Sequence, residues 1–291
     1  MCGKSYFQRN EDGSDGPVKM EEHISPITEF LNHHLGAAAI ALLQLLHIKP
    51  ENPALPIPQH VVMGVIVMLI VTLLALLVRS QLSVERPGTI QQIAELLLTN
   101  PMRLGIRDVL EEAAGHHYKS FIYFVGSISI FILFSNLMSL FPLFAAPTGH
   151  QTVPLACAIL TFVYFNYQGV RHLGIVTYLK NFGGGSPWWI AWLIILVEII
   201  STLARILSLT VRLYANIFAS DTIYVLFLGL LTQVSLWGWH TTPVLGVVLG
   251  IFPALIPLAF IALHLLVSFI QTFIFTVLPS VYLGMATAEE H

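Results

Sequence analysis

The chain has 291 residues, of which 56% are hydrophobic and only 10% charged. Soluble domains carry about a quarter charged residues, so this composition excludes an ordinary water-soluble fold and defines an integral membrane protein. A net charge of −3 offers no electrostatic basis for binding nucleic acid, and the only two cysteines, Cys2 and Cys157, form no disulfide framework or metal site.

The first 23 residues, MCGKSYFQRNEDGSDGPVKMEEH, are polar and mixed in charge. They lack the apolar core of a signal peptide, and their acidic residues do not suit an Arg-rich transit peptide. This points to a bacterial or organelle-encoded chain. Residues 25–48 read as a helix that opens at Ser25-Pro26 and lies on the membrane surface as an amphipathic segment. Residues 1–59 are thus an N-terminal arm and surface helix, followed by a single membrane domain over 60–285. The first span is predicted at 60–78, long enough for an apolar core of roughly 30 Å. The charged, amphipathic stretch 79–119 belongs at the surface, and further spans are predicted at 120–142 and 152–170. A basic loop with Arg171, His172 and Lys180 leads to Gly183-Gly184-Gly185-Ser186-Pro187. That glycine run follows no strand and lacks a P-loop lysine, so it reads as a hinge and not a phosphate cradle.

From Trp188 to Leu228 there is neither Gly nor Pro. As one helix this stretch is about 60 Å long, twice the bilayer core, and must lie steeply tilted. Residues 236–243 read as a turn. A last apolar segment, 244–285, carries prolines at 253 and 257 that are expected to interrupt it, and is expected to stop near Pro279. The pattern is an all-α integral membrane protein with about five membrane-crossing helices, the last two forming a long tilted hairpin over 188–285. Loop 79–119 holds Arg79, Arg86, Arg103, Arg107 and Lys119, and loop 171–180 holds Arg171 and Lys180, whereas loops 143–151 and 232–243 hold no Lys or Arg. Positive charge in short loops marks the cytoplasmic side, which puts the N-terminus outside and the C-terminus inside.

The most apolar region contains ARILSLTVRLYANIFASD, residues 204–221. A guanidinium at bilayer depth costs several kcal/mol and calls for a partner or a function. Glu198, Arg205 and Arg212 are seven residues apart, so each falls about 20° from the last on a helix. Ser201, Thr202, Ser208 and Asn216 fill the same side. Asp221 is turned about 180° from Arg212. His264, Ser268 and Gln271 make a second, shorter stripe. Facing stripes would give two polar half-paths, one toward each side of the membrane. The alternative is a static salt-bridge network, weakened by the roughly 21 Å along the axis between Glu198 and Arg212. His33-His34 and His116-His117 read as solvated loop residues, and Trp188, Trp189 and Trp192 as interfacial anchors.

At SLTVRLYANIFASD the sequence resembles the SLxxRLxxNxxA(G/S)(E/D) signature of subunit a, the proton-channel stator of rotary F-type ATP synthases. SNLMSLFP, FIQTFIFTVLPSVYLGMA and the terminal MATAEEH are similar to further elements of that family, in the expected order from about residue 115 onward. The resemblance implies that Arg212 is the essential arginine. It implies that Asn216, Asp221, His264 and Gln271 line the outer half-channel, that Glu198 lines the inner one, and that Arg205 and Ser208 are possible contributors. Ser139 stands where some members carry an aspartate and is not assigned a role. The implied partners are a ring of small carboxyl-bearing c subunits, the peripheral-stalk subunit b, the rest of the synthase and membrane lipid. No cofactor, metal or nucleotide is implied. The expected location is a bacterial inner membrane, with an organellar energy-transducing membrane as alternative. The competing function is a proton-coupled secondary transporter, which commonly shows internal repeats and broken helices at the midplane. This sequence shows no repeat.

Overall fold

The computed structural model of the chain describes residues 25–45, 55–83, 87–100, 103–115, 118–141, 144–182 and 188–287. Within them every regular element is helical: α1 (Pro26–Leu45), α2 (Gln59–Ser80), α3 (Thr89–Leu98), α4 (Ile106–Ala114), α5 (Tyr118–Met138), α6 (Thr152–Leu173), α7 (Ile175–Phe182), α8 (Trp188–Thr241) and α9 (Pro243–Thr287), with a 3₁₀ turn at Pro147–Gly149 before α6. The predicted N-terminal arm, His116-His117, the glycine run 183–187 and the extreme C-terminus lie outside the described residues.

Five helices are long and apolar enough to cross a membrane: Gln59–Ser80, Tyr118–Met138, Thr152–Leu173, Trp192–His240 and Leu258–Met285. Their outward faces bear Val65, Met68, Leu69, Leu203, Leu207, Leu266 and Ile270, all exposed. Apolar surface this continuous does not face water. It identifies a multi-pass membrane protein. Without a hydrophobic drive between helices in lipid, close packing must hold them together. Ile132 of α5, Cys157 and Ala158 of α6, Leu209, Leu213 and Ile217 of α8 and Phe275 of α9 meet in one core cluster. Five of the buried hydroxyls are satisfied locally. Ser129, Thr161, Ser268, Thr276 and Ser280 each donate to the carbonyl four residues earlier, which lets polar residues sit inside apolar helices.

Two expectations about the hairpin are corrected. The helix does not turn at residue 236: α8 continues through Gly238 to Thr241, 54 residues in all, and the direction changes only at Thr242, whose N–H bonds the Gly238 carbonyl at 3.0 Å. Nor does the last helix break at Pro253 or Pro257 or stop at Pro279, since α9 runs unbroken over 45 residues to Thr287. Proline removes one backbone donor, but membrane helices tolerate it where neighbouring helices, hydroxyl side chains or a local adjustment re-satisfy the freed carbonyl. At 54 residues α8 is about 81 Å long. A straight helix of that length crosses a 30 Å core only when steeply inclined.

The surface helices are placed by their apolar faces. In α4, Ile106, Val109, Leu110 and Ala114 are buried at helical spacing while Arg107, Glu111 and Glu112 face out. Asp108 Oδ2 accepts the Asn100 N–H at 2.9 Å, tying the preceding turn to the first turn of α4. The buried face of α4 packs on the end of α9 and on α5. Gly284 is the point of closest approach, because a Cβ there would run into the Ala113 carbonyl.

Candidate functional site

The polar seam of α8 divides into three groups along the helix. At its first end, Arg205 Nη2 lies 3.7 Å from Glu198 Oε1. The guanidinium also sits over the Tyr282 ring of α9, 5.1 Å from its centroid, a cation–π distance. Thr161, Thr202, Arg205 and Tyr282 border a cavity of about 10 Å3, roughly the room one water needs. The pairing with Glu198 accounts for Arg205 by charge balance.

The middle group is Arg212. Its Nη2 donates to Ser208 Oγ at 3.4 Å. Among the described residues this guanidinium has no ion-pair partner. Its own main-chain carbonyl accepts a 3.2 Å hydrogen bond from Gln271 Nε2 of α9. Gln271 is thus beside Arg212 through the backbone, with Oε1 buried and without a hydrogen-bond partner among the described residues. Asn216, one turn on, is exposed.

The third group surrounds His264 of α9, which is buried. Its Nε2 lies 3.0 Å from the Asn136 carbonyl and 2.8 Å from Ser139 Oγ. A carbonyl only accepts, so Nε2 carries the hydrogen. The Ser139 hydroxyl in turn donates to the same carbonyl at 3.1 Å, which leaves its lone pairs for His264. Nδ1 of the neutral ring is then the acceptor, and Ser220 Oγ is 3.0 Å away to donate to it. Asp221 Oδ1 lies 4.0 Å from the same Nδ1. A proton arriving at Nδ1 would turn that contact into an ion pair. Asn136 also accepts from Thr148 of the 3₁₀ turn at 2.6 Å, so the loop before α6 closes over this group.

Of the sequence-predicted site residues, the fold joins Asp221 to His264, Glu198 to Arg205, and Gln271 and Ser208 to Arg212. It leaves Asn216 on the exposed flank. Asp221 and Arg212, on opposite sides of α8, both reach α9: Asp221 by its side chain and Arg212 by its backbone carbonyl. Sequence reasoning missed Ser139, Asn136, Ser220 and Tyr282. For the first two, a signal was present in SNLMSLFP, where Asn and Ser three residues apart mark one helix face.

This layout, with a free guanidinium between two polar groups on a membrane hairpin, is accompanied by similarity along nearly the whole membrane region. Residues 61–284 match the family described as ATP synthase A chain. The chain belongs to that family. It is similar to ATP synthase subunit a of Koribacter versatilis, 38% identical over 264 residues that make up 91% of this chain and 97% of the relative. Subunit a of Solibacter usitatus is 36% identical over 89% of this chain and 99% of its own length. ATP synthase subunit a 1 of Syntrophotalea carbinolica is 35% identical over 80% and 87%. As an A chain, the protein is a multi-pass component of a membrane sector, and the similarity covers both helices of the hairpin that carry the polar groups.

Proposed function

We propose that the chain is the stator of an F-type ATP synthase membrane sector, passing protons along two half-paths and coupling their movement to rotation of a c-ring. The observation that carries this reading is Arg212, a membrane-depth guanidinium with no anionic partner among the described residues. Burying a cation without an anion is costly, so the partner is expected from another chain. A ring of subunits with one carboxyl each supplies it.

An ionised carboxyl about 4 Å from a guanidinium gains on the order of 4 kcal/mol at an effective dielectric of 20, equal to about three powers of ten in proton affinity. A ring carboxyl facing lipid holds its proton because burial disfavours the charge. Brought opposite Arg212, it releases the proton. The fixed charge also bars protons from passing straight between the half-paths, so each proton must ride the ring. His264, Asp221 and Ser139 serve as the outer half-path, with Asn216 and Gln271 nearer Arg212. The buried Asn136 Nδ2 and Gln271 Oε1, neither with a hydrogen-bond partner among the described residues, add further polar atoms to that path. Glu198, with Arg205, Thr202 and the adjoining cavity, serves as the inner one. On this reading the chain passes protons and transforms no substrate, which makes it a non-catalytic subunit. Its further partners are the peripheral-stalk subunit b, the rest of the synthase and lipid. Its bacterial relatives support a bacterial inner membrane.

Arg212→Ala is expected to abolish ATP synthesis driven by a proton gradient in membrane vesicles while the complex still assembles. Arg212→Lys should lose most of it too, since an ammonium lacks the planar fork. Coupled synthesis at the wild-type rate in Arg212→Ala would refute the assignment. The competing reading, a proton-coupled transporter, requires solute flux from the purified chain alone in proteoliposomes. The stator alone should move no solute.

A further inference from the structure

Near the first end of the α8 seam, the Arg205 guanidinium lies between two groups. Its Nη2 stands 3.7 Å from Glu198 Oε1, and its central carbon lies over the Tyr282 ring of α9, 5.1 Å from the centroid. A hydrogen-bonded contact between a guanidinium and a carboxylate is about 2.7–2.9 Å long. The Glu198 contact is longer, so the carboxylate attracts the guanidinium without fixing where it sits. The ring lies within the roughly 6 Å over which an aromatic face attracts a cation, and it is the better-anchored partner. Phe165 of α6 packs beside Tyr282 with ring centroids 5.9 Å apart. Leu283, the next residue, is buried in the cluster with Leu110 and Phe121. A Cβ on Gly284, one further on, would meet the Ala113 carbonyl of α4. The ring is thus a pinned plate, whereas arginine has a long stem with many rotamers to lose.

We propose that Tyr282 is a positioning residue of the inner half-path: its ring face seats the Arg205 guanidinium and so keeps a fixed positive charge beside Glu198. This rests on the reading of Glu198 as part of the inner half-path. Glu198 balances the charge, and Tyr282 decides where the charge stands. A guanidinium suits that seat because it is planar and stacks on an aromatic face, which a compact, strongly hydrated ammonium does less well. The same two side chains border the cavity beside Thr161 and Thr202, so the seat also gives that space its charged wall. An unseated Arg205 would leave Glu198 with a counter-charge that wanders, and the inner end of the path without a constant field.

The test reads the charge beside position 198. The whole synthase is taken in inverted membrane vesicles, with Cys2→Ala, Cys157→Ala and Glu198→Cys in this chain as the parent. The Glu198 side chain is 35% exposed, so a thiol placed there is within reach of a reagent. Two membrane-impermeant methanethiosulfonates, one anionic and one cationic, are applied to the inner side, which such vesicles turn outward. The ratio of their labelling rates, anionic over cationic, is measured. A nearby cation speeds the first and slows the second, whereas looser packing speeds both alike and leaves the ratio unmoved. Arg205→Met supplies the ratio without the charge, and the parent's is expected to exceed it about fivefold. Tyr282→Leu is expected to lower the ratio to near that of Arg205→Met. Tyr282→Phe keeps the ring face and is expected to hold it near the parent's. Should Tyr282→Leu not assemble, Tyr282→trifluorophenylalanine, which keeps the ring's shape and drains charge from its face, is expected to lower the ratio in its place. A parent-like ratio in Tyr282→Leu or in the fluorinated variant overturns the role of Tyr282 and leaves the inner half-path standing. A parent ratio equal to that of Arg205→Met does the same. Labelling of position 198 from the outer side only, or from neither side, overturns the inner half-path itself and this role with it.

Discussion

At His264 the hydrogen-bonding inventory of a single side chain dictates its chemistry. Because the Asn136 carbonyl claims Nε2–H, the free lone pair points from Nδ1 toward Ser220 and Asp221. In the proposed outer half-path, Nδ1 is therefore the ring atom open to a proton. Glutamine can keep a donor toward Asn136 but has no second site for a proton. His264→Gln should therefore preserve assembly and abolish proton pumping, measured as ATP-driven acidification of inverted vesicles. If pumping survives at more than a tenth of the parent rate, His264 is not a carrier. Ser139→Ala removes one of two acceptors around Nε2, worth about 1 kcal/mol, and should slow pumping only a few-fold. The contrast also shows what was legible. Arg212, Glu198, Asp221 and His264 stand out because ionisable groups are expensive in an apolar run and ask for a reason. Ser139 and Ser220 do not, because serine in a membrane helix normally bonds its own backbone, and only the fold brings these two to the imidazole.

Among the helices, the contact of α4 with α9 is the tightest tie between a surface element and the hairpin. Gly284 lets the two backbones meet, and Leu110, Ala114 and Leu283 fill the space around them. A methyl group has nowhere to go there except by separating the helices. Gly284→Ala should cost about 1–3 kcal/mol, read as a lowered thermal midpoint of the detergent-solubilised complex and less of the chain in the membrane. An unchanged midpoint would mean that α4 is not held at this point. The sequence made the spans and the amphipathic loop legible, since hydropathy and helical spacing are local properties. The continuity of α8 and α9 was not legible at Gly238, Pro253, Pro257 and Pro279. Those residues are breakers in water, and their effect in lipid depends on which neighbours support the backbone. The placement of Thr148 over Asn136 was equally hidden, because it is set by the path of a loop and not by any periodicity.

Across the molecule, the two polar groups lie on either side of Arg212 along one axis, and contacts elsewhere in the fold support the proposed orientation. The loop bearing Arg103 and Arg107 leads into α4, which packs on the far end of α9 near Leu283. Helix α7 follows the basic end of α6 and lies against the start of α8 near Glu198. Glu198, Arg205 and Tyr282 therefore lie on the side that carries the loop arginines, the cytoplasmic side in the proposed orientation. At the other end, the loop without Lys or Arg folds its 3₁₀ turn against α2 and α8. There a Cβ on Gly149 would touch Ile217, and Thr148 bonds Asn136 beside His264, while His150 stacks on His60 at the start of α2, ring centroids 4.0 Å apart. In the proposed orientation Asp221 and His264 then lie toward the outer side. Along α8, 23 residues separate Glu198 from Asp221, about 35 Å, slightly more than the apolar core. Neither group alone spans it, and in the proposed mechanism a proton needs the ring to travel from one to the other. Cysteine at 221 or 264 should react with a membrane-impermeant maleimide from the outer face only, and cysteine at 198 from the inner face only. Labelling of position 198 from outside, or of position 221 from inside, would reverse the orientation of the hairpin and exchange the two half-paths. Labelling of any one position from both faces would mean a continuous aqueous pore, which the role proposed for Arg212 forbids.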